Sequence, residues 1–443
     1  MMGLPSRVSP VIFRAVRAVT AGALAVFLAL GAGAAGAQTL AEVRALVDAG
    51  KAAEARRLLA QVPEPQDPVQ RTEFVFLDGL TALELGHPEE AIVRFRRILV
   101  DQPGLVRVRL ELARAYFEVE DDENARRQFE LVLAANLPPA VTANIEAFLD
   151  AIRARRKWSL SVTFALAPDT NVNAATDARL VEIGGFPFLL DPNARKTSGL
   201  GMLTAAQAGY RLPLAKDWRA EAELYASHRQ YDNDDFNDSF LRLGLGPTWL
   251  PPGGEVALRG VVRRRWFGND AYNWGAGGEI AASMQATPRL GLSTRLEVIA
   301  QNYDDDRRQD GWVATGSIGA RYGISSSAMV RADLTFLRNE TEEARFSYDF
   351  PGLSVAWLQE FPWGITAEVG GFAGYRDFDG PDPLFASTRK DWRYSGSLYL
   401  TKRDWSIGGF APLVGVRHTI NDSDINFYDY DRTELMFGVT RQF

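Results

Sequence analysis

The chain has 443 residues, 46% hydrophobic and 24% charged, which is enough apolar content for two or three domains and too much for a disordered chain. A net charge of −7 and a pI near 5.3 exclude the broad basic surface of a nucleic-acid binder. Cysteine is absent, which removes disulfides, thiol catalysis and cysteine zinc sites, and the three histidines (His87, His228, His418) lie too far apart for a local metal motif.

Arg7, Arg14 and Arg17 precede an apolar stretch from Val19 to Leu30, and Ala35-Gly36-Ala37 then offers a small-x-small cleavage pattern before Gln38. Residues 1–37 therefore read as a secretory signal peptide. A membrane anchor is the alternative, but the apolar core is short and dissolves into Gly and Ala. No later run reaches the roughly 20 apolar residues of a spanning helix, so any membrane passage needs a closed barrel.

Residues 38–157 carry helical periodicity with an internal repeat. Ala91 and Phe95 recur as Ala125 and Phe129, and Gly79 recurs as Ala113, each 34 residues on. Ala55 and Leu59 form a weaker first copy, and Pro63, Pro103 and Pro138 follow their helices as stops. A 34-residue helix-turn-helix period is the tetratricopeptide signature, with small residues where paired helices approach and Phe between repeats. The usual aromatic early in the first helix is replaced by Val75 and Arg109. Helical spacing sets Arg107, Leu110, Arg114 and Phe117 on one face, as a client-binding groove requires, although a solvated face suits the arginines equally well. A closing helix over 140–155 ends in Arg153, Arg155, Arg156 and Lys157, a cluster that fits either anionic headgroups or plain solvation.

From Trp158 the period changes to two. Trp218, Ala220, Ala222 and Leu224 alternate with Arg219, Glu221 and Glu223. Leu296 and Val298 alternate with Arg295 and Glu297, and Leu334 and Phe336 with Arg331 and Asp333. About 14 such segments begin near 158, 198, 218, 239, 255, 273, 289, 311, 328, 345, 364, 389, 404 and 428. Short turns alternate with longer acidic loops, and Trp218, Trp249, Trp266, Trp274, Trp312 and Trp392 sit near segment ends. The fold class expected is α + β multidomain: an N-terminal tetratricopeptide α-solenoid, then an antiparallel outer-membrane β-barrel over 158–443. Even strand parity returns both barrel ends to the periplasm, and the repeat domain with them. The terminal Phe437, Val439 and Phe443 fit the alternating signal read by the barrel-assembly machinery.

Arg259, Arg263 and Arg265 point inward by alternation, with Arg264 near a rim. This basic row suits an anion or polymer pathway, or pairing with lumen carboxylates such as Glu221, Glu223 and Glu297, and pairing is the favoured reading. Asp169-Thr170-Asn171-Val172-Asn173 has the oxygen spacing of a calcium loop, but Ala174 replaces the turn glycine and Leu180 the closing Glu, so it reads as an ordinary loop. The Asp-rich loops read as solvated rather than cation-binding. Residues 184–192 are apolar enough to fold inward or to meet a client. No G-x-S-x-G elbow, base–nucleophile pair or P-loop pattern appears, so neither enzyme activity nor a cofactor or metal is expected.

The mature chain resembles the surface lipoprotein assembly modulator (Slam) family. The resemblance rests on the acidic-N-x-N opening at 169–173, on Arg403-Asp404-Trp405 with Gly409-Phe410-Ala411-Pro412, and on Phe427-Tyr428-Asp429-Tyr430-Asp431-Arg432 before the terminal Phe443. Where the family usually has Ser-Asn before that tyrosine stretch, this chain has Ser423-Asp424. The resemblance implies an outer-membrane translocator that delivers client proteins, surface lipoproteins or secreted soluble relatives, and needs no cofactor. Client proteins, periplasmic chaperones and outer-membrane lipid are the partners it implies. A polysaccharide exporter, which usually carries far more repeats, and a passive solute channel are the rival readings.

Overall fold

The computed structural model describes residues 34–442 except 136, 156, 184 and 406–409. Most of the expected signal peptide, and Phe443 of the expected assembly signal, lie outside the described residues. The chain divides into two compact units, one helical and one a barrel.

The helical unit comprises α1 (Ala34–Asp48), α2 (Ala52–Leu59), α3 (Pro68–Glu84), α4 (Pro88–Asp101), α5 (Val106–Glu118), α6 (Asp122–Leu133) and α7 (Pro139–Arg155). Local chemistry sets the starts. Asp67 accepts from Val69 N and Gln70 N (3.1 and 2.9 Å) ahead of Pro68, and Asp121 accepts from Asn124 N (3.3 Å). The residues that recur every 34 positions are the buried ones: Ala55, Ala91, Phe95, Ala113, Ala125 and Phe129 are all inaccessible to solvent. Gly79 shows why a small residue is required. A Cβ there would lie 2.6 Å from the Phe95 ring, so the ring packs directly on the α3 backbone. Arg109, at the place of the usual aromatic, is also buried and donates to Gln128 Oε1 and Pro103 O (both 2.5 Å). Hydrogen bonding there replaces aromatic packing. The last helix closes the stack. Phe148 stacks on Phe129 (5.1 Å) and meets Phe117 edge-on (5.0 Å).

The barrel strands are β1 (Trp158–Asp169), β4 (Gly199–Ala215), β5 (Trp218–Tyr231), β6 (Asp238–Trp249), β7 (Gly254–Phe267), β8 (Asp270–Thr287), β9 (Leu290–Tyr303), β10 (Gly311–Ser325), β11 (Ala328–Thr341), β12 (Tyr348–Phe361), β13 (Ile365–Asp382), β14 (Ser387–Lys402), β15 (Ala411–Ser423) and β16 (Tyr430–Gln442). They form one closed antiparallel meander in which β1 pairs with both β4 and β16. Large apolar side chains such as Leu224, Leu243, Leu258, Ile280, Leu296 and Leu334 are exposed on one face, while the charged residues that alternate with them are largely buried on the other. That is apolar outside and polar within, the pattern a bilayer imposes. Exposed aromatics ring both ends: Trp158, Trp218 and Trp249 at the turn end, and Trp274, Trp312 and Trp392 at the loop end. Trp218 sits directly across from Trp249.

Two local expectations need correction, and one open reading gains a shape. The penultimate strand begins at Ala411 rather than near 404, because Arg403 and Asp404 form a turn in which Asp404 takes Lys402 Nζ (2.7 Å) and Arg403 reaches Glu360 (2.5 Å). The β7–β8 connection belongs to the loop end but is only Gly268-Asn269, both at positive φ (58° and 67°), a two-residue turn that matches the strand twist. The apolar stretch after β1 forms its own hairpin, β2 (Leu180–Ile183) with β3 (Phe186–Leu189), and exposes Leu180, Phe186 and Leu189.

The close approach at Gly79 predicts the sign of a substitution. Alanine favours a helix over glycine by about 1 kcal/mol, but overpacking against Phe95 costs about 1–3 kcal/mol. Gly79→Ala should therefore lower the midpoint of the helical circular-dichroism melt of the full chain; a rise would contradict the packing.

Candidate functional site

Chemistry in the barrel concentrates in two places: the seam where β1 meets β16, and the inner wall. The seam register runs from Ser161↔Gln442 to Leu166↔Phe437 and resumes at Asp169↔Glu434. Pro168, which has no N–H to give, occupies the gap. Side chains fasten what the ladder omits. The buried Asp169 carboxylate accepts from Arg432 Nε (2.9 Å) and Nη2, from Tyr231 Oη (3.0 Å) and from Asn171 N (2.9 Å). Asn171, also buried, donates to Ala175 O (2.8 Å) and to Asp431 O (2.9 Å) on the last strand. Thr170 and Thr433 exchange two further bonds (3.1 and 2.9 Å), and Lys196 Nζ reaches Asp431 (2.7 Å). The pentapeptide with calcium-like spacing thus ties the first strand to the last through partners some 263 residues away in sequence.

On the inner face of β5–β9, arginines and glutamates form a continuous network. Arg259 contacts Glu221 (2.6 Å), Glu279 (2.8 Å) and Glu223 (3.1 Å). Arg242 bridges Glu279 and Glu297 (both 2.6 Å), and Arg219 bridges Glu221 and Glu255 (both 2.6 Å). Arg295 approaches Glu279 (3.5 Å), and Arg263 approaches Glu297 (3.8 Å) while bonding Gln301. The structure therefore brings together Arg219, Glu221, Glu223, Arg259, Arg263, Arg295 and Glu297. Arg265 departs: it forks onto Asp238 at the loop end (both bonds 2.9 Å) and lies over Tyr272 (5.1 Å). Arg331 and Asp333 form a separate pair (3.1 Å). Arg242 and Glu279, absent from the expected set, are at its centre; strand alternation alone places both inward.

Small and large side chains together line the wall beside the seam, Tyr225, Phe240, Arg417 and Met436 standing with Ala167, Ala205 and Ser227. A cavity of about 570 Å³ is bounded by Ala167, Ala205, Ser227, Arg229, Tyr399 and Glu434, with Arg229 bonded to Glu434 (2.5 Å). Of the expected assembly signal, Phe437 and Val439 are exposed on the apolar face.

The face expected as a groove on α5 divides. Leu110 and Phe117 are core residues packed against Phe129, Ile145 and Phe148, because the closing helix covers them. Arg114 pairs with Glu111 (2.5 Å) and Arg107 with the same carboxylate (3.1 Å), and Arg107 keeps a 36% exposed side chain. Arg155, expected at headgroups or in solvent, folds back instead onto Asp122 (2.7 Å) and the Phe117 ring (3.8 Å).

Four loops share a construction that sequence reasoning missed. Each makes one short 3-10 turn (Asp234–Phe236, Arg307–Gln309, Ala344–Phe346 and Asn426–Tyr428). The residue after the turn then accepts from the backbone N–H that ends the preceding strand: Asn237 from Tyr231 (2.8 Å), Asp310 from Tyr303 (2.6 Å), Ser347 from Thr341 (2.9 Å) and Asp429 from Ser423 (2.6 Å). Backbone bonds link neighbours, as Gly268 N to Asn237 O and Glu342 N to Asp310 O (both 2.9 Å). The loop carboxylates are engaged locally. Hydrogen bonds from Arg308 hold the Asp306 carboxyl down to about 2, and burial, with the bond to Asp382, pushes the Tyr428 hydroxyl up to about 12. An Asn, Asp or Ser six or seven residues after each strand end was the signal available.

The family model described as "Surface lipoprotein assembly modifier" matches residues 158–443, the entire barrel. The chain belongs to the surface lipoprotein assembly modifier family. A second model, the tetratricopeptide repeat of protein kinase G, matches residues 11–156. Surface lipoprotein assembly modifier 1 of Haemophilus influenzae is 23% identical over 399 residues, covering 88% of this chain and 82% of its own. The Neisseria meningitidis protein of the same name is 25% identical over 381 residues, covering 83% and 75%. The hemophilin secretion modulator of Acinetobacter baumannii is 21% identical over 391 residues, covering 83% and 78%. As a member of this family with a closed 14-strand barrel, the chain is a bacterial outer-membrane protein with a role in surface protein assembly. Both the family's names and the barrel point to assembly or transport rather than catalysis.

Removing one partner of a buried charge pair costs about 3–5 kcal/mol, because the other stays buried and unmatched. Arg432→Leu should therefore lower the temperature at which the folded barrel loses its compact mobility on detergent gels. Adding Asp169→Leu should recover part of that loss, and strictly additive losses would show the two do not act together.

Proposed function

We propose that this protein moves client proteins across the outer membrane, from the periplasm to the cell surface or the medium. The carrying observation is its build: a closed barrel of the surface lipoprotein assembly modifier family, continuous with a tetratricopeptide-like domain. The names of the relatives support both client types, lipoproteins assembled at the surface and a secreted protein. In this reading residues 1–37 are a cleaved signal peptide, 38–157 a periplasmic repeat domain and 158–443 the barrel. Even parity and the short turns beside Trp158 support the periplasmic placement. The repeats receive the unfolded client or its chaperone, with Arg107 among the exposed contacts, and the barrel-assembly machinery inserts the barrel. Lipid surrounds the apolar face. The client travels along the cavity beside the seam, and folding outside gives the movement direction.

Deleting the protein in its native host tests this. One or two proteins should vanish from the protease-accessible surface or the medium and accumulate in the periplasm. An unchanged protein profile with loss of a polymer or small solute from the outside would overturn the reading in favour of an exporter or pore.

Passage at the seam has its own test. Thr163 and Thr440 face each other across it, Oγ to Oγ 3.2 Å, and the chain has no cysteine of its own. A Thr163→Cys/Thr440→Cys chain should deliver client when reduced and stop when oxidised. Delivery by the oxidised form would show that the strands need not part.

A further inference from the structure

The inner faces of β5–β9 and β12–β14 handle charge differently. On β5–β9 every arginine of the network meets a carboxylate. On β12–β14 three arginines, Arg376, Arg389 and Arg393, surround one carboxylate, Asp391, which is almost fully buried. Arg389 forks onto it (2.8 and 2.6 Å) and Arg376 stands 3.8 Å away. Arg393 has no ion-pair partner among the described residues; its guanidinium lies 5.9 Å from the Phe350 ring. Aromatic faces take the place of carboxylates: Arg376 lies 4.7 Å from Tyr348 and 5.0 Å from Phe350, and Arg389 3.6 Å from Tyr428. The Nε atoms of Arg376 and Arg393 are buried without an acceptor, as are those of Arg219 and Arg259, so what sets this wall apart is its shortage of carboxylates. Three guanidinium groups share one directly bonded carboxylate, with Asp382 next beyond Tyr428, so Arg376 and Arg393 are short of anionic partners, and ring faces attract a cation without neutralising it or accepting its N–H bonds. Buried donors left unmatched are costly, so a cluster of this kind is poised for an anion that arrives from outside the chain.

The spacing identifies the anion's carrier. Arg393 stands two residues along β14 from Asp391, on the same face, roughly 7 Å at the rise of a strand. Arg376 stands opposite Asp391 on the neighbouring strand. We infer that this wall is a binding site for an extended polypeptide bearing carboxylates, with Arg376 and Arg393 taking Asp or Glu side chains and Phe350 receiving the intervening stems. An extended chain running along β14 offers alternate side chains at matching intervals. The inference rests on a polypeptide entering the lumen, as proposed above.

The test uses the purified full chain in detergent and fluorescence anisotropy of labelled deca-glutamate, with deca-lysine and deca-serine as comparisons. Deca-glutamate should bind and the other two should not. Arg376→Gln/Arg393→Gln should weaken binding about tenfold or more, since charge-assisted bonds are lost. The Lys/Lys variant should retain part of it, and Arg308→Gln in a loop should change nothing. Folding is checked by heat-modifiable gel mobility. Should the double variant fail that check, Arg393→Gln decides alone, because it breaks no ion pair. Equal binding of deca-lysine, or unweakened binding by a folded Arg393→Gln chain, would overturn the site. Arg393-dependent binding together with an unchanged surface proteome on deletion would sink the translocator reading and leave the site. Loss of surface proteins on deletion, fully restored by an Arg393→Gln chain that binds like wild type, would sink the site and leave the translocator.

Discussion

Everything in the barrel follows from one requirement: a sheet in hydrocarbon must have no edge. Unpaired backbone groups have no water to turn to there, so the first strand must find the last. Trp158–Asp169 therefore pairs with Tyr430–Gln442 across almost the whole length of the barrel sequence. That closure fixes an even number of strands, returns both ends of the barrel to one side, and forces side chains to alternate between lipid and lumen. It also creates the one joint between neighbouring strands that has no covalent turn at either end. The chain answers with the buried contacts of Asp169, Asn171 and Arg432, which do there what a hairpin turn does between other strands.

Alternation then delivers charge to the lumen whether or not it can be balanced. Along β5–β9 glutamates and arginines come in comparable number and pair with each other, so the charge on that wall is balanced. Beside the seam small inward residues such as Ala167, Ala205 and Ser227 stand among larger ones, and a cavity lies there. Along β12–β14 arginines rest on rings. A lumen with one charge-paired wall, one open wall and one unbalanced wall is not a uniform water-filled pore, and in the proposed translocation that asymmetry gives a passing chain a preferred track.

Much of this was legible because it is periodic. Period two placed Arg219, Glu221 and Arg259 on one face, and the 34-residue recurrence of Ala91–Phe95 located the helix-pair core. Arg242 and Glu279 obey the same alternation and were within reach. What sequence could not supply was partner choice. Helical spacing groups Leu110 and Phe117 with Arg107 and Arg114, but only the arrival of Phe148 from the closing helix turns the first two into core. The local spacing of 169–173 resembles a metal loop, while its acceptors are taken by Arg432 and Tyr231, strands away. The start of β15 was misplaced because Arg403 and Asp404 bond to neighbours that alternation does not register.

The four 3-10 loops carry a further implication. Their shape rests on backbone groups and on a single short acceptor at Asn237, Asp310, Ser347 or Asp429, three different residue types in one role. Other side chains that bond the loop backbone, such as Asn233, Asp306 and Ser423, differ from loop to loop. In the proposed orientation this rim faces the surroundings of the cell. Its side chains can drift residue by residue while the frame beneath them, and the mouth it encircles, keeps the same form.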